Sequence, residues 1–441
     1  MSFPIHLVNQ ICPLYIHNVC LKSKNMIILS FVETLLFMSP SEFTISHPIE
    51  PVSSFDDLPV SDDILRGIYS YGFERPSGVQ RLALPAVLHM DIPDVVVQAR
   101  SGSGKTGVFA IAAIHAATRK SRAVALILSP TRELAEQSAK VVRALGDAVD
   151  SLVVHVATGG KQNWADFGKT RGGSQGTVIS GTPGKVSQLL REVSLVELWK
   201  NVNLVVLDEA DELLLKNQGF TEQIRDIFKR IDPCSNSIPQ LRPQRLLVSA
   251  TLPAAVLELT AQFMSHEPIT ILMKTSDLPV NEIRQFRVTV ENEAEKFHAL
   301  VELYDRLAVT QSVVFCNTRA SVDLLYTRLL RARFPVDCIH GDLPQKDRDL
   351  VLSKFRQGQV RVLICSDVLG RGIDVQAVSL VVSFDVANSP EFHLHRIGRC
   401  GRFGRRGLAV TMCTSGGVDY ARLDEFENFF NIKIDQLPEK L

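Results

Sequence analysis

The sequence predicts an α/β protein made of two doubly wound parallel-sheet domains in tandem, and three observations carry that prediction. First, the apolar run Val95-Val96-Val97 leads into Ala99-Arg100-Ser101-Gly102-Ser103-Gly104-Lys105-Thr106 and then a helical pattern over 107–118. That is a strand, a glycine-bearing loop and a helix start. Second, the apolar run at 204–207 suits a buried parallel strand and ends in Asp208-Glu209-Ala210-Asp211. Third, the same alternation of short apolar runs and helical stretches returns in the second half of the chain, without a second glycine loop.

The first two elements fit one chemistry. Gly102 and Gly104 let backbone N–H groups turn inward, Arg100, Ser101 and Ser103 complete the loop, Lys105 adds a point charge for β/γ-phosphates, and Thr106 offers a hydroxyl to Mg²⁺. Ala99 stands where the general phosphate-loop pattern has its first glycine, so by itself the loop also reads as a glycine-rich turn with a solvated lysine. The carboxylates decide against that. At a strand's C-terminal end they lie where open α/β sheets bind ligands, with Asp208 able to hold the Mg²⁺ and Glu209 able to orient and deprotonate a water.

With 441 residues the chain has room for two cores. Lys plus Arg and Asp plus Glu balance at 48 each, so no global basic field gathers nucleic acid, and a polyanion must be held by locally placed donors. Eight cysteines show no C-x-x-C pair and read as reduced core thiols of an intracellular protein, with no zinc site. Residues 1–52 read as a poorly ordered extension. Its apolar stretch 26–38 follows Lys22 and Lys24, faintly like a signal peptide, yet it is too short to span a bilayer and is interrupted by Glu33, so no membrane partner is expected.

The first domain is expected over 53–273. Phe55 opens it, an amphipathic helix follows at 62–71, and the turn holding Phe73 leads to Gln80, whose amide can read adenine bidentately. Strands at 123–128, 152–157, 178–180, 204–207 and 246–248 each end in a polar cluster. Among these, Arg132, the amides at Gly159 and Gly160, and Thr182 with Lys185 suit a phosphodiester backbone. The polar, proline-bearing segment 274–285 reads as a linker and 286–441 as the second domain. There Arg319, Arg348, Ser366, Asp374 and His395 fall in polar clusters. Arg396, Arg399 and Arg402 recur at three-residue spacing, so on a helix they share one face and suit the charge on a transferring γ-phosphate.

Phe55 with 72–80, then 99–106, 130–135, Gly159-Gly160, 182–185, 208–211, Ser249-Ala250-Thr251, 345–348, 366–374 and 395–402 resemble, in order and spacing, the DEAD-box RNA helicases over 53–437. Segments 67–77, 372–380 and 429–438 look like the translation initiation factor 4A group, which includes a nuclear exon-junction paralogue. The resemblance implies two RecA-like domains that close on ATP and single-stranded RNA and locally unwind short duplexes. Lys105, Thr106 and Asp208 would hold nucleotide and Mg²⁺, with Phe55, Phe73, Gln80 and Asp374 also on the nucleotide and Glu209 activating water. Arg399 and Arg402 would reach the γ-phosphate; Ser249, Thr251 and His395 would couple hydrolysis to RNA. Arg132, Gly160, Thr182, Lys185, Arg319, Arg348 and Ser366 would line the RNA path. It further implies a cytoplasmic monomer with a scaffold protein clasping both domains, acting in translation initiation; the alternatives are an ATP-locked nuclear RNA clamp and, from another class, a DNA-directed motor. Four positions depart from the family pattern. Lys185 replaces an arginine, Gly78 a proline, Gly370 an alanine and His393 a tyrosine, so altered affinities are expected but no catalytic group is lost.

Overall fold

In the computed structural model the apolar runs become strands of two sheets, each flanked by helices. The structure describes residues 43–89, 94–159, 175–192, 195–214, 219–232, 242–264, 267–274, 283–307, 310–367, 378–400 and 407–438. The first sheet holds β1 (Phe43–Ile45), β2 (Val95–Gln98), β3 (Val124–Leu128), β4 (Leu152–Ala157), β5 (Gly176–Gly181), β6 (Val202–Asp208), β7 (Gln244–Ser249) and β8 (Ile269–Met273), in the order β1-β8-β2-β7-β6-β3-β5-β4. The second holds β9 (Ile283–Val290), β10 (Ser312–Cys316), β11 (Val336–Ile339), β12 (Val362–Ser366), β13 (Leu380–Ser383), β14 (Gly407–Thr414) and β15 (Asp435–Gln436), in the order β11-β12-β10-β13-β14-β9-β15. From β2 to β8 and from β9 to β15 the neighbours pair in parallel.

Every residue of β3, β5, β10, β12 and β13 is buried, as covered parallel strands require. Leu126, Val205, Leu207, Trp199 and Ile224 pack in the first core; Val314, Ile364, Val382 and Met412 pack in the second. Strand order then sets the site. Because β7 lies between β2 and β6, the phosphate loop, Ser249-Ala250-Thr251 and Asp208 leave three adjacent strand ends.

Capping fixes how the polar clusters begin their helices. Thr131 Oγ1 accepts the Leu134 N–H at 3.2 Å and Thr318 Oγ1 the Ser321 N–H at 3.1 Å, which puts Arg132 and Arg319 at the first helical position in their respective lobes. Both lobes lie within one compact unit, Thr44–Leu441.

The structure corrects the expected boundaries. Residues 43–52, expected in the poorly ordered extension, are tied down: the Ser46 N–H donates to Thr270 O and the Val52 N–H to Arg81 O, both at 3.1 Å. Residues 1–42 lie outside the described residues. The linker expected over 274–285 gives up its last three residues to β9, and 275–282 lie outside the described residues. Among the described residues no helix is long and apolar enough to cross a membrane. The five described cysteines, 316, 338, 365, 400 and 413, are buried and unpaired.

The helix Asp62–Ser70 meets the helix Arg132–Leu145 so closely that a Cβ on Gly67 would lie 1.8 Å from Leu145 O. Gly67→Ala is expected to lower stability by about 1–3 kcal/mol in urea unfolding. An unchanged midpoint would show that the two helices separate without loss.

Candidate active site and nucleic-acid interface

The phosphate loop is shaped by two left-handed glycines, Gly102 with φ +77° and Gly104 with φ +101°, the latter capping the helix Lys105–Thr118. Ala99 fits in place of a glycine because it prolongs β2: its N–H donates to Ser249 O at 3.2 Å and its side chain is enclosed. Lys105 is buried, and its ammonium donates to Ala99 O at 2.6 Å and Arg100 O at 2.9 Å, so it bridges the loop's own carbonyls. Burial pulls its pKa below the usual lysine value, while Glu209 and Asp208 oppose that shift.

Opposite the lysine, burial and then the Glu209 charge push the Asp208 carboxyl up to about 8. Glu209 holds φ +50°, rare for a residue with a side chain, and one of its carboxylate oxygens is buried without a partner. Excess negative charge and an orphaned carboxylate oxygen suit a hard divalent cation, for which Asp208 and the half-buried Thr106, next in sequence to Lys105, offer oxygen ligands.

Asp211 has the most constrained carboxylate of the four-residue cluster. It is buried and accepts the Ser249 hydroxyl at 2.8 Å, the Thr251 hydroxyl at 2.7 Å and the His395 Nε2–H of the other lobe at 3.1 Å. The strand-end hydroxyls and the second lobe thus meet on one charge.

Gln80 sits at the third position of the helix Gly78–Leu88 and completes a capping box with Ser77. Its Oε1 accepts the Ser77 N–H at 2.9 Å and its Nε2 donates to Gly104 O at 3.2 Å, which leaves one amide N–H and one lone pair for an adenine. The expectation that Gly78 loosens this turn is offset by that box. Phe55, expected on the nucleotide, is fully enclosed; it stacks on the half-buried Phe73 with ring centroids 6.1 Å apart, so in this structure only Phe73 keeps accessible surface.

Arg396 and Arg399, expected on one face, separate, because the helix Pro390–Ile397 ends before Arg399. Arg396 turns into its own lobe. It binds Asp367 through two nitrogens at 2.6 and 2.8 Å, donates to Asn317 Oδ1 at 2.6 Å and lies over the Phe315 ring. Arg399 is buried and close enough to depress the Lys105 pKa; a Cβ on neighbouring Gly398 would lie 2.8 Å from Ser101 Cβ, so the absent side chain is what lets the lobes approach. Arg402, Asp374, Gly160 and Gly370 lie outside the described residues. His393 is buried against Phe426 and pairs with Gln285 at 2.9 Å; burial holds its imidazole down at about 3, hence neutral.

A cleft of about 320 Å³ is lined by Arg132, Thr182 and Arg348, three of the residues expected on the RNA path. Its cations already have partners. Arg348 pairs with Glu133 at 3.2 Å, Arg132 donates to Gln345 Oε1 at 3.4 Å, and Gln345 Nε2 donates to Glu133 at 3.1 Å, which links the lobes. Arg319 pairs with Asp342, Lys185 donates to Gln188 Oε1 at 3.1 Å, and Ser366, ending β12, is buried. The sequence reading missed Glu133, Gln345, Ser77 and Gly398. Ser77 was visible as Ser-x-x-Gln, whereas the other three make contacts across the lobe interface that sequence spacing does not show.

A phosphate loop and paired carboxylates in one sheet, faced by an arginine from a second sheet, define a two-lobed ATPase. The DEAD/DEAH box helicase model matches residues 77–259 and the helicase conserved C-terminal domain matches 295–404. The chain is 43% identical over 398 residues to "Eukaryotic initiation factor 4A-3" of Nicotiana plumbaginifolia, covering 90% of this chain and 96% of that protein. It is 44% identical over 402 residues to "ATP-dependent RNA helicase fal1" of Schizosaccharomyces pombe, covering 91% and 97%. Among solved structures, S. cerevisiae Dbp5 bound to RNA and ADP BeF3 matches with a TM-score of 0.77 and 32% identity over 88% of this chain and 96% of that one. The chain belongs to the DEAD-box family of ATP-dependent RNA helicases.

The contrast between the arginines is testable. Arg399→Ala is expected to cut ATP hydrolysis by about 10³-fold without a change in thermal midpoint. Arg396→Ala is expected to lose about 3–5 kcal/mol of stability, since it strands Asp367. Equal effects of the two on either readout would refute the separation.

Proposed function

We propose that this chain is an RNA clamp locked by ATP, acting in nuclear RNA processing, with local strand separation as a consequence of clamping. The observation that carries the reading is the three-donor saturation of Asp211, which ties the ATP-side strand ends to the second lobe. ATP would lie along the Gly102–Lys105 loop with its adenine against Phe73 and Gln80, and Asp374 reaching the ribose. Lys105 exchanges its loop carbonyls for phosphate oxygens. Thr106 and Asp208 would hold Mg²⁺, which when bound supplies positive charge to the phosphates. Glu209 orients a water and takes its proton, while Arg399 and Arg402 meet the developing γ-phosphate charge.

On the other side, Arg132, Gly160, Thr182, Lys185, Arg319, Arg348 and Ser366 would track the RNA backbone. Each phosphate displaces an internal acceptor such as Glu133 or Asp342, so RNA binding is an exchange of ion pairs. The relatives named 4A-3 and FAL1 support the nuclear clamp over translation initiation, to which the sequence alone pointed first. A scaffold protein clasping both lobes of a monomer completes the reading.

Glu209→Gln separates chemistry from clamping. ATP should bind, phosphate release should stop, and labelled single-stranded RNA should leave more slowly than from the parent protein with ATP and Mg²⁺ present. Fast RNA release despite blocked hydrolysis would overturn the clamp.

A further inference from the structure

The second lobe contains a cluster that neither the nucleotide nor the RNA chemistry uses. Asp323 lies on the helix Arg319–Arg331, Cys338 on the edge strand β11, and His340 just past that strand's end. Two residues apart, Cys338 and His340 share the side of the strand that meets the helix. Each of the three offers one ligand atom, and these atoms all lie within 4.8 Å of one another, with His340 Nε2 and Asp323 Oδ1 at 3.1 Å.

The surroundings suit an ion more than a simple His–Asp pair. Cys338 and His340 are 9% and 7% exposed, whereas the Asp323 side chain is 59% exposed, so the cluster has a dry floor and one wet edge through which an ion can enter. His340 Nδ1 is buried without a partner, so no second hydrogen bond accounts for the ring's placement.

We propose that Asp323, Cys338 and His340 form a zinc site, with carboxylate, thiolate and imidazole in three positions of a tetrahedron and water in the fourth. Mixed sulfur, nitrogen and oxygen donors select Zn²⁺ over Mg²⁺ or Ca²⁺, which require oxygen alone. On binding, the Cys338 S–H proton leaves to solvent, a Zn–S bond forms, and no electron is transferred. The ion pins the helix Arg319–Arg331 to β11. Because His340 continues into Gly341-Asp342, and Asp342 pairs with Arg319, zinc would also stiffen an arginine assigned to the RNA path. Sequence spacing alone gave no zinc site, since the donors come from two elements and no C-x-x-C pair is present.

Cobalt(II) is the probe, added to the metal-free full chain. One Co²⁺ per chain with a thiolate-to-cobalt charge-transfer band is expected, displaced by one Zn²⁺. Cys338→Ser should abolish the band, and zinc affinity should fall at least about tenfold in Cys338→Ser and His340→Gln, as even outer partners of zinc ligands have effects of that size. Asp323→Asn, at an exposed position, tests the site without disturbing the core and should weaken zinc as well. A band that persists in Cys338→Ser, the absence of any band in the parent, or parental zinc affinity in Asp323→Asn would each overturn the site.

Discussion

A buried carboxylate must be saturated with donors, and in this fold that constraint falls on Asp211. Leaving such a charge unpaired costs several kcal/mol. Two donors, Ser249 and Thr251, come from the end of β7, and the third, His395, comes from the other lobe. Lobe apposition therefore has a local electrostatic reason. When the lobes part, the third donor must be replaced by water, and the loop after β7 loses the partner that fixes its hydroxyls.

The rest of the site is arranged around that contact. Gly398 permits the approach to Ser101, Arg399 arrives beside Lys105, and the charges of Asp208 and Glu209 are left with too little positive charge near them. On the opposite rim Glu133 holds Arg348 and the amide of Gln345, a second polar bridge between the lobes. On the proposed reading, the arginines that would take RNA phosphates, Arg132 and Arg348, are the ones that bridge the lobes without RNA.

Most of this was legible in the sequence wherever chemistry is local. The apolar runs at 152–157, 269–273 and 312–316 are the observed strands, and the glycine loop, the carboxylate cluster and the polar strand ends fall at the edges predicted for them. Reading failed where a property depends on what packs opposite. Periodicity put Arg396, Arg399 and Arg402 on one face, but Gly398 ends the helix and Asp367 draws Arg396 inward. Phe55 matches a nucleotide-binding motif, yet the stacked Phe73 ring covers it. Residues 43–52 carry little pattern of their own and gain order from Thr270 and Arg81.

If, as proposed, Asp211 passes ATP binding on to RNA affinity through Thr251 and His395 together, a double-mutant cycle will show it: the ratio of RNA affinities with and without a non-hydrolysable ATP analogue is measured for the parent, Thr251→Ala, His395→Ala and the double variant. Each single change should reduce that ratio, and the double variant should be no worse than the more damaging single one. Fully additive losses, or a ratio that His395→Ala leaves intact, would contradict a shared route through Asp211.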